Sequence, residues 1–209
     1  MKKISQRLKI IFAEKKGTFI FFIFMVILGI IFGSLFITIL DKSDKELVST
    51  QITNFFTNIK TNQNQDIVAT LKNSLFTNIG SVLAIWILGI SIIGIPLIIL
   101  FVFIKSFIFG FSIGGIISVY NLKGILLSIG YLLPHQIINI ITLFILSLIS
   151  FNISVNFLKS LISKKQMDFK IWIGKYYKLL LISLIIMTLS SLMETFLSPY
   201  ILKIFTFLL

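Results

Sequence analysis

The chain has 209 residues, 57% of them hydrophobic and 12% charged, whereas soluble domains average about 45–50% apolar and about 25% charged. A mean hydropathy of +1.06 leaves too little polar surface to coat a globule in water, so the composition points to an integral membrane protein. The absence of Cys excludes disulfides and thiolate ligands, while one His and seven acids leave few parts for acid–base or metal chemistry.

Residues 1–17 form a basic tail with Lys2, Lys3, Arg7, Lys9, Lys15 and Lys16. A first apolar run follows over 18–40, long enough to cross a hydrocarbon core that needs roughly 20 residues. It has no small-residue cleavage site, so it reads as an uncleaved anchor. Gly29 and Gly33 give it a GxxxG surface where another helix can approach closely.

The stretch 41–73 is polar. Ser43 and Glu46 fit a capping box, and Val48, Ile52, Phe55, Phe56 and Ile59 recur at helical spacing. A short amphipathic helix is predicted, resting on the membrane or on a partner. Residues 61–65 read as a polar linker.

Residues 74–120 are too long for one crossing and suit two. Gly94 and Pro96 mark the break, which places spans at 74–93 and 96–119 with a tight Gly-Pro hairpin between them. Gly110, Gly114 and Ser118 line one face of the second of these. Pro134 divides the next apolar block. The segment 120–136 then holds an interfacial or re-entrant piece, and 137–157 is the fourth span. A Lys-rich loop over 158–178 precedes the last span, 179–197, and an apolar tail, 198–209.

The chain is therefore expected to be all-α and polytopic, with five transmembrane helices. The two Lys/Arg clusters not balanced by acids, at 1–17 and 158–178, fall on one side, as the positive-inside rule requires. This distribution, and the lack of a basic face interleaved with exposed aromatics, argues against nucleic acid as a partner.

Ionisable groups within a bilayer are costly and often functional. Lys105 and Glu194 are the two deepest. Their depths differ by about 9 Å at helical rise, which a Lys stem can cover. They read as a candidate intramembrane pair, either an ion pair or hydrogen-bonded glue that fixes the bundle, or a proton or ligand site. His135, beside Pro134, lacks a second group to orient it as a base. It is grouped with Phe55 and Phe56 as a candidate partner surface. HExxH, GxSxG and GxxxxGK[ST] motifs are absent, and no cofactor, metal or catalytic residue is expected.

The string Trp86-Ile87-Leu88-Gly89-Ile90-Ser91-Ile92-Ile93-Gly94-Ile95-Pro96-Leu97 resembles the central segment of the stage II sporulation protein M family. The stretch from Lys105 to Gly114, then Leu133-Pro134-His135-Gln136, then Glu194 to Pro199, resemble its later landmarks. The resemblance implies a non-enzymatic, multi-pass protein of the bacterial inner membrane, placed at the sporulation septum of the mother cell. It also implies a scaffold for peptidoglycan degradation during engulfment, with stage II sporulation proteins D and P as partners. Membrane lipids and a second copy of the chain are further expected partners. The alternative reading is a small permease or lipid-handling protein with Lys105 and Glu194 in a buried site. A water-accessible cavity reaching Lys105 favours that alternative, and a sealed bundle favours the scaffold.

Five spans put the termini on opposite sides. Fusions to a reporter active only outside the cytoplasm should be active after Leu209 and inactive after Lys165; equal activity at the two sites contradicts the topology.

Overall fold

The computed structural model describes residues 16–61, 66–163 and 169–204. These are helical almost throughout, with no strand among them, and five helices are long and apolar enough to cross a membrane. Most of the basic tail, the linker 62–65, the loop residues Lys164 and Lys165 and the stretch 205–209 lie outside the described residues.

Helix α1 (Lys16–Ile39) is apolar on every side and exposes Phe24, Phe32 and Leu35. Its buried face is Phe22, Gly29, Gly33 and Ile37. It packs most extensively on α4 (Gly94–Tyr120). A Cβ built on Gly29 would lie 2.7 Å from the Ser106 Cβ, and one on Gly33 would collide with the Phe107 carbonyl. Reciprocally, a Cβ on Gly110 would meet the Ile30 carbonyl, and one on Gly114 would lie 2.6 Å from the Ser34 carbonyl oxygen. Partner numbers rise together along the seam, so the two helices run parallel. The GxxxG of the first span and the small-residue stripe of the third are thus the two halves of one backbone-to-backbone contact.

Helix α2 (Lys42–Thr61) starts one residue before Ser43. Ser43 is therefore inside the first turn rather than capping it, and the Lys45 amide donates to the Asp41 carbonyl instead. The helix lies on the bundle's own end. Phe56 and Ile59 are fully buried among Ile116, Leu127 and Leu202, and the Phe56 ring meets Tyr120 and Tyr131 edge-on.

Helix α3 (Ile67–Gly89) begins seven residues before the expected 74. Asp66 caps it, its carboxylate accepting from the Val68 and Ala69 amides at 3.1 and 3.0 Å, so the start is set by a cap rather than by where apolarity begins. The turn to α4 covers Ile90–Ile93, ahead of the expected hairpin at 94–96. Gly94 and Pro96 instead open α4, where a missing N–H is tolerated because first-turn amides have no intrahelical acceptor.

Asn121, with φ 52°, reverses the chain into α5 (Leu122–Tyr131), a ten-residue helix folded back against α4. This is the short piece expected within 120–136. Helix α6 (Leu133–Ser163) carries Pro134 in its first turn and runs beyond the expected 137–157 at both ends. Helix α7 (Phe169–Leu192) likewise takes up much of the expected Lys-rich loop.

The last crossing does not stop at Ser198-Pro199. A π turn over Met193–Leu197 leads into α8 (Ser198–Ile204). In a regular helix the Pro199 ring would strike the carbonyl four residues back. The wider π turn relieves this, with the Ser198 amide donating to the Met193 carbonyl.

Helices α3, α6 and α7 meet through small polar side chains, and Ser81, Ser147, Ser150, Ser154 and Ser183 are all buried. Ser154 Oγ donates to the Gly89 carbonyl at 3.1 Å at the α3 C-terminus. The Tyr176 hydroxyl lies 2.8 Å from Ser150 Oγ and donates to the Trp86 carbonyl at 2.8 Å, with its ring stacked on Trp86.

Overpacking a close contact costs about 1–3 kcal/mol, whereas Gly to Ala at an open helical site gains about 0.5–1 kcal/mol. Gly33→Ala should lower the thermal midpoint of the detergent-purified protein. Gly80→Ala, where nothing lies within 4 Å of the new Cβ, should leave it unchanged or raise it. Equal midpoints would show that the α1–α4 seam is not close-packed.

Candidate functional site

The α2/α5 end of the bundle holds a cavity of about 380 Å³. It lies between the first half of α3 and the middle of α4, closed behind by α6 and by the π turn. Its polar wall comes from helix spacing. Thr70, Asn73, Ser74, Thr77 and Asn78 recur every three or four residues and share one side of α3. The opposite wall carries Lys105, Ile108 and Phe109, with Phe55 and Tyr131 at the mouth and Gln136, Asn139, Ile140 and Leu143 behind.

Glu194, aimed here by the π turn, accepts a hydrogen bond from Ser74 Oγ at 2.5 Å. Asn78 Nδ2 donates to Ser191 Oγ at 2.9 Å, which ties α3 to α7 one turn deeper. Asn139 is 6% exposed, and its Oδ1 is buried without a hydrogen-bond partner. Toward the other end the structure closes. Below Lys105 there remains a void of about 10 Å³ among Ile85, Phe101, Leu143 and Phe144. The cavity ends blindly near the middle of the bundle.

The structure brings Lys105 and Glu194 to the same cavity but does not pair them. No ion pair joins them; the Lys105 ammonium lies 5.7 Å from the centre of the Phe101 ring, a cation–π contact. The expectation of an ion pair is corrected accordingly. Glu194 is already held by Ser74, and Lys105 projects from a helix across the cavity.

His135 and Phe56 are also corrected as partner surface, since both are about 1% exposed. His135 Nδ1 sits 3.0 Å from Ser198 Oγ, and its backbone carbonyl accepts from Ser190 Oγ at 3.0 Å. The residue locks the first turn of α6 to α7 and α8. Phe55 remains 41% exposed and stacks edge-on against Tyr131.

The members missed in the sequence are Ser74, Asn78, Tyr131 and Asn139. A signal for the first two was present. Polar residues repeating every three or four positions at the entry of a spanning helix require polar company. Among the described residues no three His, Asp or Glu gather as metal ligands.

Residues that share a contact couple, and separated ones add. A double-mutant cycle of Ser74→Ala with Glu194→Gln should give a coupling of about 1.5 kcal/mol or more, as for a hydrogen bond to a charged group. The cycle of Lys105→Met with Glu194→Gln should be additive within about 0.5 kcal/mol. Thermal denaturation of the purified variants reads both, and the reverse pattern would restore the ion pair.

No curated protein and no solved structure matches the chain. The family model described as stage II sporulation protein M does match, over residues 18–199, from the third residue of α1 to the second of α8. That range takes in nearly all of the five spanning helices, the Trp86–Leu97 string and every residue that lines the cavity. The chain is a multi-pass membrane protein that belongs to the stage II sporulation protein M family.

Proposed function

We propose that the protein is a non-catalytic membrane scaffold that anchors and localises a peptidoglycan-degrading complex during engulfment, with stage II sporulation proteins D and P as its partners. Family membership supports the developmental setting. The observation that carries the scaffold reading is the seating of α2. Its apolar side is spent on the bundle through Phe56 and Ile59, so the helix is held in place, and Gln51, Asn54 and Asn58 face outward. A preorganised helix face needs little ordering on binding. Anchoring a hydrolase beside one membrane surface also raises its effective concentration there. The recruiting surface is this polar side of α2, with Phe55 at its edge.

A second reading, a lipid-handling protein, draws support from the cavity that reaches Lys105. Its blind end is a poor fit to a through-path for solutes and a better fit to a site that holds a ligand. The two readings use different surfaces and can coexist.

Asn54→Arg with Asn58→Arg places bulk and charge on the exposed side of α2 without touching its buried side. In sporulating cells the variant should keep normal membrane abundance, while fluorescently tagged partner at the septum falls to background. A partner that localises as with the parent chain removes α2 as the recruiting surface.

A further inference from the structure

Two features of the cavity specify an occupant. Lys105 presents a cation with no carboxylate at ion-pair distance among the described residues. A phosphate would satisfy it with a charge-assisted hydrogen bond, stronger than one to a neutral acceptor. Across the space, Glu194 binds Ser74 through Oε2 alone. A carboxylate only accepts, and a cationic donor in the occupant complements it best. A quaternary ammonium has no N–H; a primary ammonium has three.

The space is shaped for a head group rather than for a whole lipid. About 380 Å³ lies near the lower end of small-molecule sites, roughly 300–1,000 Å³. The side between α3 and α4 is open, with Thr77 exposed on one helix and Ile108 52% exposed on the other. In a bilayer that side faces acyl chains. Exposed Thr70, Asn73 and Thr77 run down this side of α3 to the cavity and give it a polar entrance.

We infer that the cavity binds the head group of a phospholipid that carries both a phosphate and a primary ammonium. The phosphate sits on Lys105 and the ammonium on Glu194, while the acyl chains leave sideways between α3 and α4. This rests on the lipid-handling reading and names its ligand class.

The purified full chain is reconstituted into nanodiscs of phosphatidylcholine with equal parts of phosphatidylethanolamine and phosphatidylglycerol. It is then released into detergent and examined by native mass spectrometry. One phosphatidylethanolamine should stay bound per chain, favoured about tenfold over either other lipid, as expected for bonds to charged groups. Lys105→Met and Glu194→Gln should each reduce that retention by about tenfold. Equal retention of the three lipids by the unaltered chain overturns the inference and leaves lipid handling standing. Retention of none overturns both. Free phosphoethanolamine, titrated calorimetrically, separates the sources. If it binds while the lipid is not retained, the ligand is a soluble zwitterion and the lipid assignment falls.

Discussion

Surrounded by lipid, a helix gains nothing from hiding its apolar side chains, because the acyl chains are as apolar as they are. Association must come from close packing, and the seam between α1 and α4 supplies it. Gly29, Gly33, Gly110 and Gly114 let two backbones come within van der Waals reach over about two turns, where each added Cβ would overlap the partner helix. The other elements depend on this contact. It fixes α4, and α4 carries the turn to α3, the reversal at Asn121 and one wall of the cavity.

A different device holds α3, α6 and α7. Their interface is lined with serines, several of whose hydroxyls bond Tyr176, Asn78 or backbone carbonyls. Small hydroxyls keep the helices close and add direction that methyl groups lack. Where the lining changes from Ser to longer Asn, Gln, Glu and Lys, the helices no longer close on each other and a cavity results. The packed half and the hollow half of the bundle follow from the same rule applied to different side-chain lengths.

The number of crossings, their order and the small-residue faces of α1 and α4 were legible in the sequence, because span length and glycine spacing are one-dimensional signals; that the two faces meet each other was not. Boundaries were less so. Ile67–Asn73 is too polar to count as span but is helical because Asp66 caps it. Pro96, Pro134 and Pro199 were read as breaks, yet each sits where a helix tolerates a missing donor, two in first turns and one beyond a π turn. For the site, Lys105 and Glu194 stood out by cost alone. That they face one cavity without touching depends on which way each helix is turned. Phe56 and His135 went inward because the chain's own end elements, α2 and α8, cover them. Apolar spacing predicts that a face will be covered, but not by what.

The π turn places a constraint on the chain that is a matter of residue count, not of composition. One extra residue is wound into the last crossing ahead of Pro199. Removing any single residue from 193–197 would let the turn close as a regular α-helix while the flanking segments keep their facing. The proline ring would then meet the carbonyl four residues back again. Exchanges of one side chain for another within the turn leave the winding intact. The junction is thus tolerant of spelling and intolerant of length.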